Sequence, residues 1–372
     1  MKKIQMVDLL GQHQKIQKEI DEAIKDTIEV SRFINGPQVS SFQSELEKFL
    51  DVDHVIPCGN GTDALQLALM GLDLPQDAEI LVPTFNYVAS AEASALLGFK
   101  PVFTDVDPKT FNITVDDIEK SLTPKTRVII AVHLYGQSCD MASIMSLARE
   151  KDLVVIEDTA QSLGAEYTFT DNRRQKAGTI GHIGTTSFFP TKCLGAMGDG
   201  GAVFTNDKTL ADKIRKLAFH GQTSKYRYGE VGINSRLDSM QAAILEVKLR
   251  HLPEFIDTRR RIAARYDEKL SVNSNWDTPF RADYSSHVFH QYTLKFKERE
   301  KVKQVLHQKE IPFVTYYPGP LHLEKAYQYL GYKKDNFPVS EELSEVALSI
   351  PMHTELGDDQ IEYITDTLIE IS

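Results

Sequence analysis

The 372-residue chain is 41% hydrophobic, enough for a large core, and its length points to two domains or one large domain with a smaller appendage. A formal net charge of -11 argues against a general binder of nucleic acid or of membrane surfaces, which need basic patches; it leaves room for an anionic small substrate held by a few arginines. Cys58, Cys139 and Cys193 show no metal-ligand spacing, so no metal site and no disulfide framework is expected and the compartment reads as reducing.

Residues 1–8 lack the apolar core of a signal peptide, and no apolar run is long enough to span a bilayer; the expectation is a soluble, cytoplasmic protein. Ile16, Ile20, Ile24 and Ile28, four apart, predict an amphipathic helix over 12–31, which Asn35-Gly36-Pro37 ends. A second helix is expected from about Ser40 to Leu50, with Phe42, Leu46 and Phe49 on one face. Next, Cys58-Gly-Asn-Gly-Thr-Asp-Ala-Leu-Gln-Leu-Ala-Leu69 places a glycine turn before a helical run. Such a helix start offers free N–H groups to a phosphate at Gly61 and Thr62; it also reads as an ordinary cap by Thr62 or Asp63.

From about 79 to 158 apolar strands alternate with helices: strands at 80–82, 101–105, 127–133 and 153–158, helices at 87–97 and 140–151. Continuous apolar strands separated by helices predict a mainly parallel sheet buried on both faces. Ligands in such sheets sit beyond the carboxyl ends of the strands, so Tyr87, His133, Tyr135, Asp158 and Gln161 become candidates. Asp158 closes its strand and reads either as a helix cap or as a carboxylate holding a protonated ring nitrogen; Tyr87 either packs or covers a planar group.

Residues 167–183 read as a polar surface loop. Phe188 and Phe189 read as a buried strand end before Lys192 and the glycine-dense turn Gly195 to Gly201. Taken alone, Lys192 is a surface lysine before a glycine turn; held in a pocket, it can lose its proton and form a Schiff base with a carbonyl. Cys193 beside it reads as packing. A strand at 201–205 and a helix at 207–219 follow, then a long aperiodic stretch to Asp238, the kind of loop that is functional or disordered. Asn234 and Arg236 stand just before a helix running to about 250, where a cap and a surface charge are the bland alternatives. From 251 the pattern changes to a half-buried strand at 290–296 and helices near 298–309, 340–347 and 358–370, as in a small α+β domain. The expected division is a large domain over 1–250 and a small one over 251–372.

Several markers occur in order: Gly59-Asn-Gly-Thr-Asp-Ala-Leu65, Pro83-Thr-Phe-Asn-Tyr-Val-Ala89, Asp105-Val-Asp107, His133-Leu-Tyr-Gly136, Glu157-Asp-Thr-Ala-Gln161, Ser187-Phe-Phe-Pro-Thr-Lys192, Gly198-Asp-Gly-Gly-Ala202 and Gly232-Ile-Asn-Ser-Arg-Leu-Asp238. Together they resemble the DegT/DnrJ/EryC1/StrS sugar aminotransferases over nearly the whole chain. The resemblance implies an α/β fold of the fold-type I class of pyridoxal phosphate enzymes, with a mostly parallel seven-stranded sheet between helices and a small C-terminal domain. It implies pyridoxal 5'-phosphate as cofactor, with Lys192 as the Schiff-base lysine and Asp158 paired to the pyridine nitrogen. Gln161 would bond the ring oxygen, Tyr87 would stack on the ring, and Gly61, Thr62 and Ser187 would hold the phosphate. Asn234 would reach the phosphate of a neighbouring subunit, so a homodimer with shared sites is expected. Glutamate is implied as amino donor and a nucleotide-linked keto sugar as acceptor, for surface polysaccharide precursors.

The Asn234-Ser-Arg236 pattern with Tyr316 to His322 looks most like members that aminate C3, similar to those using UDP-linked 3-oxo-N-acetylglucosaminuronic acid. Arg236 would then pair with the sugar carboxylate, with Tyr317 and His322 as further substrate contacts. A dTDP-3-keto-deoxysugar or a C4 keto sugar is the alternative acceptor. Two rivals are a dehydratase, whose members carry histidine in place of Lys192, and a non-catalytic regulatory protein on the same fold. Cys193, where asparagine or proline is commoner, and a longer loop at 170–178 depart from the family pattern.

Overall fold

The computed structural model describes residues 3–271 and 273–371. Helices α1 (Leu9–Val30) and α2 (Pro37–Leu50) come first, with Pro37 in the first turn of α2, where its missing N–H costs nothing. Ile16 and Ile20 of α1 are buried, but Ile28 is 53% exposed, so the apolar stripe is only partly used within the chain. The central layer follows as β1 (His54–Cys58), α3 (Gly61–Met70), β2 (Glu79–Pro83), α4 (Ala89–Leu96), β3 (Lys100–Thr104), α5 (Val115–Ser121), β4 (Thr126–Val132), α6 (Met141–Glu150) and β5 (Val154–Asp158).

The stretch expected to be a loop at 167–183 contains an antiparallel hairpin, β6 (Glu166–Thr168) with β7 (Arg174–Lys176), before β8 (Ile183–Ser187) and β9 (Gly201–Thr205). Short polar strands carry too weak an alternation to be read locally, and here pairing makes them strands. The seven long strands form one sheet in the order β1-β9-β8-β5-β4-β2-β3. β9 pairs antiparallel to both β1 and β8 and every other pairing is parallel, so β9 alone runs against the rest. A continuous apolar core from Ile56 through Ile80, Ile129 and Ile156 fills the space between sheet and helices.

After α7 (Lys208–Leu217), the aperiodic stretch holds a small hairpin, β10 (Gln222–Ser224) with β11 (Arg227–Tyr228). Helix α8 (Ser239–Leu270) is 32 residues long and continues through Pro253, so the division expected after residue 250 falls inside it. Its first half packs on α1 and α2; Ile262, Tyr266 and Leu270 at its far end join a second core with the C-terminal elements. Those are β12 (Trp276–Asp277), β13 (Tyr292–Phe296), α9 (Arg299–Gln308), α10 (Pro338–Val346), β14 (Ala347–Ile350) and α11 (Asp358–Ile371), with the three strands in one antiparallel sheet. Asp105, beyond the end of β3, ties this part to the large sheet. Its carboxylate accepts from Val339 N (3.0 Å), Ser340 N (2.8 Å) and the Ser340 hydroxyl, capping α10 from far away in sequence.

Candidate active site

A cavity of about 500 Å³ opens where β1, β2, β4, β5 and β8 end and the reversed β9 begins. It gathers Gly61, Thr62, Tyr87, Asp158, Gln161, Ser187, Lys192 and Tyr317, eight residues expected from sequence. A parallel sheet does this by construction, because it brings the loops after successive strands to one edge.

Helix α3 starts at this edge. Its cap is Asn60, whose Oδ1 accepts from Asp63 N at 2.8 Å, and not Thr62 or Asp63 as the alternative reading had it. Asp63 is engaged elsewhere: the Ser235 hydroxyl donates to it (2.6 Å) and accepts from Gly59 N (2.9 Å). The Gly61 and Thr62 amides, in the first turn, have no acceptor among the described residues, so they and the helix dipole are free for an anion. A Cβ on Gly61 would lie 2.6 Å from Ser187 Cβ; glycine is what lets Ser187 close the same cradle.

Asp158 is buried and accepts one hydrogen bond among the described residues, from Ala160 N at 2.9 Å. Burial raises its pKa, against the pull of that amide and of Lys192. Lys192 lies in the turn after β8, held by its own amide to Phe189 O (2.8 Å) and by the Lys248 ammonium to Gly195 O (2.7 Å). A Cβ on Gly195 would meet Pro190 O at 2.2 Å, so this turn closes only around glycine. Burial pushes the Lys192 pKa below the ordinary lysine value, with Asp158 and Cys193 opposing. Its amine has no hydrogen-bond partner among the described residues. Gln161 accepts from Tyr135 N (2.8 Å) and donates to the Tyr317 hydroxyl (3.0 Å), which leaves one amide hydrogen free. Tyr87 is 59% exposed over the cavity, 6.5 Å from the Tyr317 ring.

Other expectations fall elsewhere. His322 does not line the cavity: its Nδ1 meets Thr84 Oγ1 at 2.9 Å and its Nε2 meets Glu341 Oε1 at 3.1 Å, so both ring nitrogens are spent on a buried cross-link. His133 is likewise structural. Its Nδ1 accepts from Cys139 N (3.1 Å), which puts the proton on Nε2, toward Glu157 (2.8 Å). Glu157 also gathers the amides of Gly178, Ile180 and Gly181, fixing the turn that leads into β8. Tyr135 packs beneath, its hydroxyl donating to Tyr316 O. Phe189 is half-exposed and lines the cavity, not a buried strand end, because β8 stops at Ser187 and the chain turns outward.

Asn234 is exposed and Arg236 stacks 5.3 Å from the Phe219 ring; neither lines this chain's cavity. Sequence reading missed Asn86, Asp199, His290 and Gln291, which line it. His290 and Gln291 precede β13, about a hundred residues from Lys192, and nothing local marks them.

These residues fit pyridoxal phosphate. A buried carboxylate short of a cationic partner, unclaimed helix-start amides beside a serine, and an unpartnered lysine of lowered pKa match the pyridinium, phosphate and carbonyl of that molecule. Among the described residues no cluster of histidine, cysteine or carboxylate side chains could hold a metal, and no helix is long and apolar enough to cross a membrane.

Residues 14–369 match the family model described as the DegT/DnrJ/EryC1/StrS aminotransferase family. The chain is 41% identical over 369 residues to a protein of Geobacillus stearothermophilus called pleiotropic regulatory protein, covering 99% of this chain and 98% of that one. It is 40% identical over 365 residues to the UDP-2-acetamido-2-deoxy-3-oxo-D-glucuronate aminotransferase of Pseudomonas aeruginosa, covering 98% and 99%. The crystal structure of a DegT DnrJ EryC1 StrS aminotransferase from Brucella abortus superposes with a TM-score of 0.93 at 38% identity, covering 99% of each chain.

Proposed function

The chain belongs to the DegT/DnrJ/EryC1/StrS aminotransferase family, and on that premise we propose that it moves the amino group of glutamate onto C3 of a UDP-linked 3-oxo-N-acetylglucosaminuronic acid or a close analogue. The enzyme is a nucleotide-sugar transaminase that uses pyridoxal 5'-phosphate. The observation that carries the reading is Lys192 and Asp158 lining one cavity, neither in an ion pair among the described residues.

When bound, pyridoxal phosphate supplies a carbonyl to carry the amine and a ring that accepts the electrons of the deprotonated carbon. The Gly61 and Thr62 amides and the Ser187 hydroxyl hold the phosphate at the α3 dipole. Asp158 would hold the ring nitrogen in its protonated, electron-withdrawing form, Gln161 would donate its free amide hydrogen to the ring oxygen, and Tyr87 would cover the ring. Lys192 Nζ, whose proton burial makes easy to lose, would take the proton from the donor carbon and deliver it to the cofactor carbon that carries the amine, and would run the same transfer in reverse on the sugar.

The protein works as a cytoplasmic homodimer in which Asn234 and Arg236 serve the neighbouring subunit's site, Asn234 at the phosphate and Arg236 at the sugar carboxylate. In support, neither residue turns to its own cavity, Arg236 has no ion pair among the described residues, and Leu10, Ile28, Phe33 and Ile34 leave apolar surface exposed.

The test is the absorbance spectrum of purified protein. Glutamate should bleach the yellow band of the loaded enzyme, and one keto sugar from a panel on UDP, dTDP and GDP should restore it, with product NMR placing the amine. A band that glutamate leaves unchanged removes the donor assignment; amine at C4 removes the C3 assignment. A regulatory reading has the names of two relatives behind it, one called regulatory and one called a sensory transduction protein. Lys192→Ala separates the two: a catalyst loses turnover, whereas a binding-only protein keeps its effect.

A further inference from the structure

Six residues among those described carry a buried side-chain nitrogen or oxygen with no hydrogen-bond partner, and His290 alone of them lines the cavity. We infer that His290 donates a hydrogen bond from Nε2–H to an oxygen acceptor on the bound substrate, beside the carbon at which Lys192 moves its proton. The inference rests on the transaminase reading and adds to it a neutral residue that touches substrate.

The ring is held on a rigid base. His290 is 6% exposed. The Arg259 guanidinium donates to the carbonyls of Phe289 (3.1 Å), His290 (3.4 Å) and Met352 (3.0 Å), pinning the backbone on both sides. From the other direction Gly136 presses in: a Cβ there would stand 2.8 Å from Phe289 N and 3.0 Å from His290 N. A side chain on this backbone has little freedom to retreat and find a partner elsewhere.

The tautomer follows from burial. Nδ1 is sealed away from solvent and has no partner among the described residues; Nε2 has none among them either but is not sealed, and the cavity is the space that the residue lines. A buried N–H without an acceptor costs more than a buried lone pair without a donor. The proton therefore resides on Nε2, toward the cavity. A second proton is opposed by burial and by the positive charges of Lys192 and Arg259, so the ring stays neutral at physiological pH. A neutral donor selects an acceptor oxygen without demanding an anion. Two substrate oxygens meet this description, a carboxylate oxygen of the amino donor and a hydroxyl or ring oxygen of the keto sugar, and the two half-reactions tell them apart.

The test uses the cofactor-loaded enzyme with three variants. His290→Gln places an amide nitrogen where Nε2 stood, His290→Asn places one where Nδ1 stood, and His290→Phe keeps the ring without a donor. Single-turnover absorbance follows the glutamate and keto-sugar half-reactions separately. His290→Phe and His290→Asn should slow one half-reaction by about 10-fold or more, and His290→Gln should stay within about 3-fold of wild type. Slowing confined to the glutamate step assigns the donor carboxylate, and slowing confined to the sugar step assigns a sugar oxygen. Full rates in His290→Phe, or equal losses in all three variants, overturn the inference. A readout independent of turnover is nitrogen NMR of 15N-histidine-labelled enzyme, with the signal assigned by its loss in His290→Phe. A neutral Nε2–H ring that shifts on adding glutamate or aminated nucleotide sugar supports the inference; an imidazolium or an Nδ1–H ring at pH 7 refutes it. Failure of the wild-type enzyme to bleach with glutamate would instead fall on the transaminase reading, and the NMR result would still judge His290.

Discussion

Replacing Asp158 by asparagine removes a charge and changes the shape of the side chain little. In the native cavity this carboxylate is buried, takes one backbone hydrogen bond, and has its pKa raised by desolvation. It is thus held at a cost that a cationic ring nitrogen would offset. Stripping one partner from a buried ion pair costs about 3–5 kcal/mol. At about 1.4 kcal/mol per decade, that is roughly two to four decades. The loss can be taken in two ways. A ring that keeps its proton binds more weakly by that factor; a ring that sheds it binds better but withdraws electrons poorly, and turnover falls instead. The sum of the losses in cofactor affinity and in turnover should therefore reach about two decades at least. Equilibrium dialysis against pyridoxal phosphate gives the first and single-turnover absorbance with glutamate the second. Urea unfolding of the cofactor-free protein is the control, and there Asp158→Asn should be neutral or stabilising because a buried charge is gone. An asparagine variant within about 3-fold of wild type in both affinity and turnover would refute the assignment.

Other substitutions separate architecture from chemistry. His322→Ala breaks the bonds to Thr84 and Glu341 and should lower stability by about 2–3 kcal/mol in urea unfolding, with the KM for keto sugar within 2-fold of wild type. A large KM change at intact stability would restore His322 as a substrate contact. Ser235→Ala leaves Gly59 N without its acceptor and Asp63 without its donor, and should cost about 1–3 kcal/mol and loosen cofactor binding, measured by melting with and without pyridoxal phosphate. Lys248 adds a pH dependence of known sign. Burial lowers its pKa from 10.5 to about 8, so between those values the unfolded chain binds more protons and stability rises with pH. The site's contribution across that window is about 3 kcal/mol, and Lys248→Met should flatten this part of the profile in urea titrations at pH 8 and 10. An unchanged slope would show that Lys248 is not desolvated.

Much of the site was legible because it is written next to strand ends. Asp158 and Ser187 end their strands and Gln161 and Lys192 follow those ends by a few residues, and an ordered series of short motifs ties such residues to known chemistry. What escaped was residues whose role depends on a distant partner. Asp105 stands in the sequence as part of a marker motif with no role attached, and in the fold it is a cap for α10. His322 sits in a motif that reads as substrate contact, yet both its nitrogens are taken by groups from other segments. His290 carries no local signal, because only the hydrogen bonds of Val288 N to Gly136 O and Gln291 N to Tyr135 O, which dock the segment before β13 on the turn after β4, bring it to the cavity.

By itself, the sequence determined the alternation of buried strands and helices, the glycines without which the Lys192 turn and the α3 cradle cannot close, and the set of groups able to bind a phosphate, a pyridinium and a carbonyl. Those follow from covalent geometry and hydrophobic periodicity, which act over a few residues. Tertiary structure decided which polar side chains are left unpartnered at the cavity and which are consumed in cross-links, and where α8 carries the chain between the two cores. A hydrogen bond between residues a hundred or more positions apart depends on the packing of the whole chain, and no local pattern encodes it.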